Sequence, residues 1–226
     1  MLSGCFSMAS ELIQIYYNED QKKELYPFSI PYKNEGLTIF FENSVIVDLV
    51  SASNAEKVGV CSWKLKMKQR YNMPCRAITE ELINSEYDVL SFTKNSRHHK
   101  MIEAASMWHP NFRDYLTQVV KGIGKIMPFE VKNPIYQNAF MAKNEIYQDY
   151  LNEYLIPAMN LIKNDHKIYE LATQDSNYSQ LQKKDAANPE YLQEKIGFPY
   201  YPMAPFILER LFSVYVHNKN INVTYV

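Results

Sequence analysis

The pair Glu209-Arg210 lies within an otherwise apolar segment, Pro205 to Tyr215, whose pattern predicts a buried helix. An ionised group in such a segment must be paired or must face a cleft, because burying an isolated charge is costly. The pair is therefore either a structural ion pair or a functional one. In a functional pair, Glu209 would hydrogen-bond a sugar hydroxyl or accept its proton, and Arg210 would balance the charge of a phosphate.

A second candidate for chemistry is the acidic pair in Glu86-Tyr-Asp88. Two acids separated by one residue project to the same side of an extended chain, so they could share a divalent cation such as Mn²⁺ or Mg²⁺. The pair precedes an apolar strand, Val89 to Phe92, whereas ligands usually bind beyond the carboxyl ends of strands. The alternative interpretation is a solvated turn between a helix and that strand.

The basic run that contains His98 and His99 is either a cationic patch for a diphosphate or a solvated loop. Adjacent histidines would point about 100° apart on a helix, so they do not form a chelating pair. The sequence has no His-Glu-x-x-His motif, no cysteine–histidine cluster and no Gly-x-Ser-x-Gly motif, which argues against a zinc site and a serine nucleophile. With only six glycines, it also lacks a glycine-rich phosphate loop.

Alternating strands and helices are predicted to position these residues. Strands are predicted at residues 11–17, 57–64, 87–92, 137–142 and 221–226. Helices are predicted at residues 79–84, 100–108, 111–123, 144–162 and 203–216, and Leu37 to Val50 suits either a buried strand or a helix. The alternation predicts an α/β fold with a single three-layer mixed sheet and helices on both faces. Residues 1–10 are interpreted as a disordered or non-native start, and residues 11–226 as one domain.

Composition argues against several classes of protein. The formal net charge is −1, whereas non-specific nucleic-acid binding needs a strong cationic surplus. The three cysteines form no pairing pattern, which is typical of a reducing cytoplasm. No apolar run reaches the roughly 18 to 20 residues that cross a bilayer. The 18 tyrosines either fill an aromatic core or offer flat faces to sugar rings.

Four blocks of the sequence, in order along residues 57–226, resemble a bacterial family of capsule and exopolysaccharide glycosyltransferases. They are Gly59-Val-Cys-Ser-Trp-Lys64, Glu86-Tyr-Asp-Val89, Asn138-Ala-Phe-Met-Ala-Lys143 and Leu208-Glu-Arg-Leu211. The chain departs from the family at Ser62, Trp63 and Lys64, where the family has His, Tyr and Arg.

The resemblance implies a GT-A-like fold and a glycosyl transfer from a nucleoside-diphosphate sugar to a surface-polysaccharide acceptor. It also implies a substrate cleft, whose residues would be Trp63, Lys64, Asp88, Tyr136, Asn138, Glu209 and Arg210. Lys64 or Arg210 would offset the diphosphate charge, and Trp63 would stack on a sugar or base. Asn138 would hydrogen-bond sugar hydroxyls, and Glu209 and Asp88 would be the catalytic carboxylates. The reaction would take place in the cytoplasm, at the inner face of the membrane if the acceptor is lipid-linked.

Two other interpretations of the sequence stay open. The chain lacks the Asp-x-Asp motif with which many nucleotide-sugar transferases hold a cation, which favours a catalytically inactive protein that binds or assembles a glycan. Alternatively, the tyrosine-rich helix at residues 144–162 is the partner surface of a structural module. That alternative requires an exposed apolar stripe on the helix.

Overall fold

The structure is a computed structural model that describes residues 10–66, 78–93, 101–132, 134–181 and 187–226. Two of the sequence expectations fall outside this part of the chain. They are the disordered or non-native start, of which residues 1–9 are not described, and the basic run with His98 and His99.

The described strands form one six-stranded mixed sheet. They are β1 (Glu11–Tyr16), β2 (Ile30–Lys33), β3 (Lys57–Ser62), β4 (Val89–Ser91), β5 (Phe140–Lys143) and β6 (Val223–Tyr225). The spatial order is β2-β1-β3-β5-β4-β6. Strand β1 is parallel to β2 and β3, β4 is parallel to β6, and β5 is antiparallel to both of its neighbours, β3 and β4. The prediction of an α/β fold with a single mixed sheet is confirmed.

A helix is present at each predicted position, and further helices lie in segments where none was predicted. They are α1 (Glu19–Lys22), α2 (Glu42–Ala52), α3 (Glu80–Ile83), α4 (Met101–Trp108), α5 (Phe112–Gly122), α6 (Asn144–Tyr150), α7 (Ile156–Asn164), α8 (His166–Ala172), α9 (Tyr178–Leu181), α10 (Pro189–Ile196) and α11 (Ala204–Lys219). Thr79 caps α3 as expected, because its side chain accepts a hydrogen bond from the amide of Leu82. The ambiguous segment from Leu37 to Val50 is helical in its second half, as α2. No helix among the described residues is long and apolar enough to cross a membrane.

Apolar residues on the two faces of the sheet belong to two separate clusters. Ile13, Val58 and Val60 point to the larger cluster, which includes side chains from α2, α5, α6, α7 and α11. Leu12 and Cys61 point the other way, to a smaller cluster that includes side chains from α3. The alternation along β1 and β3 follows from the two-residue period of a strand. Apolar side chains therefore pack on both faces of the sheet, from several helices on one face and from the short helix α3 on the other.

The tyrosine-rich helix is part of the larger cluster. Helices α6 and α7 are continuous through a π-helical turn, Leu151–Leu155, immediately before Pro157. The wider turn is expected there, because proline has no N–H to donate and its ring clashes with the preceding turn. Tyr147, Tyr150 and Tyr154 are all buried. The interpretation of this helix as an exposed partner surface is therefore wrong.

Candidate functional site

A cleft of about 880 Å³ opens at one end of the sheet. Its lining includes Tyr17 just after β1, Ser62 at the end of β3 and Tyr136 before β5. Because β5 is antiparallel to β3, its amino end meets the carboxyl ends of β1 and β3. We call this edge the cleft end of the sheet. The position and the volume are both typical of ligand sites in α/β proteins.

The cleft brings together five residues that the sequence analysis selected. They are Trp63, Lys64, Tyr136, Glu209 and Arg210. Trp63 directly follows β3. Its amide donates to the carbonyl of Ile15 at 2.8 Å and so extends the pairing of β3 with β1. Lys64 follows directly, with its Nζ 5.7 Å from the centroid of the Trp63 ring. A cation and an aromatic face thus meet at the end of one strand.

The pair Glu209-Arg210 lies on α11 and faces the cleft. Arg210 Nη1 donates to Glu209 Oε2 at 3.0 Å, and only 10% of the Arg210 side chain is exposed. The guanidinium lies 5.5 Å from the centroid of the Tyr136 ring. Its Nε is buried and has no hydrogen-bond partner within the described residues. Arg210 is therefore an ion-paired and largely enclosed cation in the cleft lining, and its positive charge suits an anion there.

Asn138 lies behind the cleft rather than in its lining. It is buried, and its Nδ2 donates to Oδ1 of Asn43, which does line the cleft, at 3.4 Å. Gln137 and Asn138 both have left-handed backbones, with φ of 61° and 51°. This local turn points Gln137 into the cleft lining, where its buried Oε1 has no partner in the described part of the chain. Asn138 thus supports the cleft from behind, and its neighbour Gln137 belongs to the lining.

Asp88 and Glu86 lie at the opposite end of the sheet, which we call the packed end. Asp88 precedes β4, which runs parallel to β3, so the acids lie beside the start of β3 and not beside its end. Asp88 Oδ1 accepts from Lys143 Nζ at 2.7 Å, and Glu86 is 3.8 Å from Lys57 Nζ. The expectation that Asp88 shares a cleft with Glu209 is therefore not met.

The acidic pair does not fit a divalent cation. Each carboxylate already faces a lysine, and a lysine ammonium competes for the same oxygens. Within the described residues, no group of three or more His, Cys, Asp or Glu side chains has the geometry of a metal site. The structure thus gives no support to the expectation that Glu86 and Asp88 bind Mn²⁺ or Mg²⁺.

His109 is a cleft residue that the sequence analysis did not select. It is 6% exposed, and its Nδ1 is 2.9 Å from the carbonyl oxygen of Ser176. Burial lowers the pKa of His109, and the positive charge of Arg210 lowers it further, against the raising effects of the Ser176 carbonyl and of Glu209. In the sequence, His109 and Pro110 lie between two predicted helices, and no local pattern indicates that His109 lines a cleft.

A continuous row of rings forms one side of the cleft. Phe41 stacks on Tyr201 at 5.3 Å, Tyr201 meets Tyr178 at 4.9 Å, and Tyr178 meets Phe206 at 5.5 Å between ring centroids. Phe206 in turn lies 4.2 Å from the ring of His109. We call these five residues the aromatic wall. All line the cleft, and such flat apolar faces suit the rings of sugars or bases.

A polar corner completes the cleft beside the start of α2. The hydroxyl of Tyr17 donates to Glu42 Oε1 at 3.5 Å. Burial, followed by the negative charge of Glu42, raises the pKa of Tyr17, so its hydroxyl stays protonated at neutral pH. The corner therefore places a tyrosine hydroxyl and a carboxylate, which are bonded to each other, in the cleft lining.

Comparisons with known proteins do not assign the chain to a family. It matches no protein-family model, no curated protein and no solved structure.

Proposed function

We propose that the protein is a glycosyltransferase that binds a nucleoside-diphosphate sugar in the cleft and transfers its sugar to a surface-polysaccharide acceptor. The observation that carries this proposal is convergence: Trp63, Lys64, Tyr136, Glu209 and Arg210 come from three distant parts of the sequence and line one cleft. The cleft also lies at the carboxyl ends of parallel strands, where α/β proteins bind nucleotides. The proposal includes a GT-A-like sheet and a cytoplasmic reaction, at the membrane if the acceptor is lipid-linked.

The residues of the cleft suit each requirement of this transfer. A bond forms between the acceptor oxygen and the anomeric carbon, while the bond from that carbon to the diphosphate oxygen breaks. Arg210 and Lys64 supply positive charge for the leaving diphosphate, and the low exposure of Arg210 strengthens that effect. Trp63 and Tyr136 offer aromatic faces to the base or the sugar. Glu209 hydrogen-bonds the reacting hydroxyl or accepts its proton.

A second candidate is a protein that binds a glycan without transferring a sugar. The aromatic wall favours it, because a row of rings can hold saccharides without any chemistry. The location of Asp88 also favours it, because the cleft then contains one predicted catalytic carboxylate rather than two. The two candidates differ in whether the protein releases a nucleoside diphosphate.

The first test is a thermal-shift panel of nucleoside diphosphates and nucleotide sugars, with and without Mn²⁺. A ligand at about 100 times its Kd should stabilise the fold by about 2.7 kcal/mol, which raises Tm measurably. Selective stabilisation by one nucleotide sugar supports a transferase and identifies its donor. Stabilisation by oligosaccharides alone supports the glycan-binding candidate.

Glu209→Gln separates binding from chemistry. The amide keeps the shape of the side chain but can no longer take a proton or balance Arg210. We expect sugar transfer to be abolished while the donor still raises Tm. Transfer at the wild-type rate in Glu209→Gln would remove Glu209 from the mechanism.

A further inference from the structure

His109 has the surroundings of a base that is fixed in one tautomer. A backbone carbonyl only accepts hydrogen bonds, so the 2.9 Å contact with Ser176 requires the proton on Nδ1. In the neutral ring, Nε2 is then the acceptor, and it has no hydrogen-bond partner within the described residues. The Ser176 carbonyl thus sets the tautomer that leaves Nε2 available.

The ring of His109 is held in place at the edge of the cleft. Phe206 packs against it at 4.2 Å and Phe112 at 6.1 Å between ring centroids. His109 lies in the turn between α4 and α5. Its neighbours on α11 include Glu209 and Arg210. A side chain with this little freedom can present Nε2 to a ligand without further ordering.

We propose that His109 is the general base of the transfer and that Glu209 only positions the acceptor hydroxyl. This inference rests on the proposed function and decides where the acceptor proton goes. Glu209 is the weaker choice, because its carboxylate accepts from Arg210 at 3.0 Å and its negative charge is balanced there. His109 is neutral, and no described residue engages its Nε2.

The proposed step balances in atoms and charge. As the acceptor oxygen bonds to the anomeric carbon, its proton moves to Nε2 of His109. The electron pair of the broken carbon–oxygen bond leaves with the nucleoside diphosphate, whose charge Arg210 and Lys64 offset. The imidazolium that forms returns its proton to water after the products leave. Without an acceptor, water takes the place of the hydroxyl and the donor is hydrolysed.

The charges around His109 fit this role. Among the described residues, Arg210 and Glu209 on α11 are the ionised groups whose charges affect it, and the segment before α9 contributes the Ser176 carbonyl. The pKa of His109 is lowered, mainly by burial, so the ring is neutral at pH 7. The rate should therefore rise with pH through a limb below about 6.5, the ordinary pKa of histidine, and level off above it.

The test measures hydrolysis of UDP-, GDP- and dTDP-hexoses, as nucleoside-diphosphate release, together with donor binding by calorimetry. His109→Asn is the decisive variant, because its amide can still donate to Ser176 but no longer offers a base at Nε2. We expect an unchanged donor Kd, a loss of about 100-fold or more in kcat and the disappearance of the acidic limb. In His109→Ala, added imidazole should restore part of kcat with the pKa of imidazole.

His166→Gln is the matched control, because His166 is an exposed histidine outside the cleft. It should leave both kcat and the pH profile unchanged. A His109→Asn variant with the wild-type kcat and acidic limb would overturn the inference and leave the proposed function intact. Wild-type protein that binds a donor but never hydrolyses it would also overturn the inference, since a free base beside the donor would activate water. If no donor binds to the wild type, the proposed function itself fails.

Discussion

The two ends of the sheet use the same kinds of residues in opposite ways. At the packed end, Lys57 is buried beside Glu56 and Glu86, and Lys143 pairs with Asp88 at 2.7 Å. At the cleft end, Arg210 is equally enclosed, yet its Nε has no partner within the described residues. A charge held between protein partners stabilises the fold, whereas a cation in the lining of a cleft is placed to meet a ligand.

The two ends of the sheet also differ in backbone conformation. Among the described non-glycine residues with positive φ, Phe41, Gln137 and Asn138 all lie at the cleft end. Such conformations are unfavourable for residues with a Cβ and tend to persist where the surrounding structure imposes them. The cleft end therefore combines unsatisfied polar atoms with strained backbone, and both are features of functional sites.

The largest expected effect comes from neutralising one cation at each end. Arg210→Gln should weaken binding of the best nucleoside diphosphate by about 100-fold, or about 2.7 kcal/mol, because a charge-assisted hydrogen bond and an enclosed charge are both lost. Lys143→Gln is the matched change at the packed end and should leave Kd unchanged. Calorimetric titration measures both. Equal losses in the two variants would show that overall charge, and not the cleft, binds the diphosphate.

The next effect comes from Gly59, which lies in β3 between the two ends. A Cβ at this position would lie 2.8 Å from the backbone oxygen of Phe140 and 2.4 Å from Met141 Cγ. We expect Gly59→Ala to destabilise the fold by about 2 kcal/mol in denaturant unfolding, because β3 and β5 must move apart. Gly36→Ala is the control, since no atom of the described residues lies within 4 Å of the added Cβ. Equal stabilities would contradict this close packing of β3 against β5.

Much of the fold was predictable because periodicity and capping are local. The runs that became β1, β3 and β4 and the helices α4, α5 and α11 follow from patterns of apolar residues that each element needs for burial. Strand β2 is absent from the predicted strands, because its segment contains Pro31. Proline is nevertheless compatible with an edge strand, where a missing N–H costs little. Strand β2 is the edge strand beside β1. Helices α8 and α10 were missed because their segments are largely exposed and carry a weak apolar pattern.

The site was predictable only where its residues stand out in the sequence. Glu209 and Arg210 did so, as charges inside an apolar helix. His109, Gln137 and Phe41 did not, because their roles depend on a distant carbonyl, a left-handed turn and a stacking partner. Asp88 shows the converse: its spacing from Glu86 resembles a cation site, but the direction of β4 places it away from the cleft. Sequence spacing does not show at which end of the sheet a strand begins.

A smaller effect tests the strain at the cleft end. Phe41 has φ 51° and ψ −128°, a conformation that glycine adopts readily and residues with a Cβ rarely adopt. Phe41→Gly and Phe41→Ala both remove the ring that stacks on Tyr201, so the difference between them reports the backbone. We expect Phe41→Gly to be more stable than Phe41→Ala by about 1 kcal/mol in urea unfolding. The opposite order would mean that the Phe41 backbone is not strained.

The smallest effect is expected from Asp88→Asn, which opens the ion pair with Lys143 at the packed end. Both side chains are partly exposed, and such surface pairs contribute little to stability, so Tm should fall only slightly. Hydrolysis of the donor should proceed at the wild-type kcat, since Asp88 and Glu209 lie at opposite ends of the sheet. A carboxylate that contacts the reacting hydroxyl, as proposed for Glu209, would instead lose activity by orders of magnitude on becoming an amide. Because Asp88→Asn and Glu209→Gln are the same chemical change, a large loss of kcat in both would contradict the division of the sheet into a packed end and a cleft end.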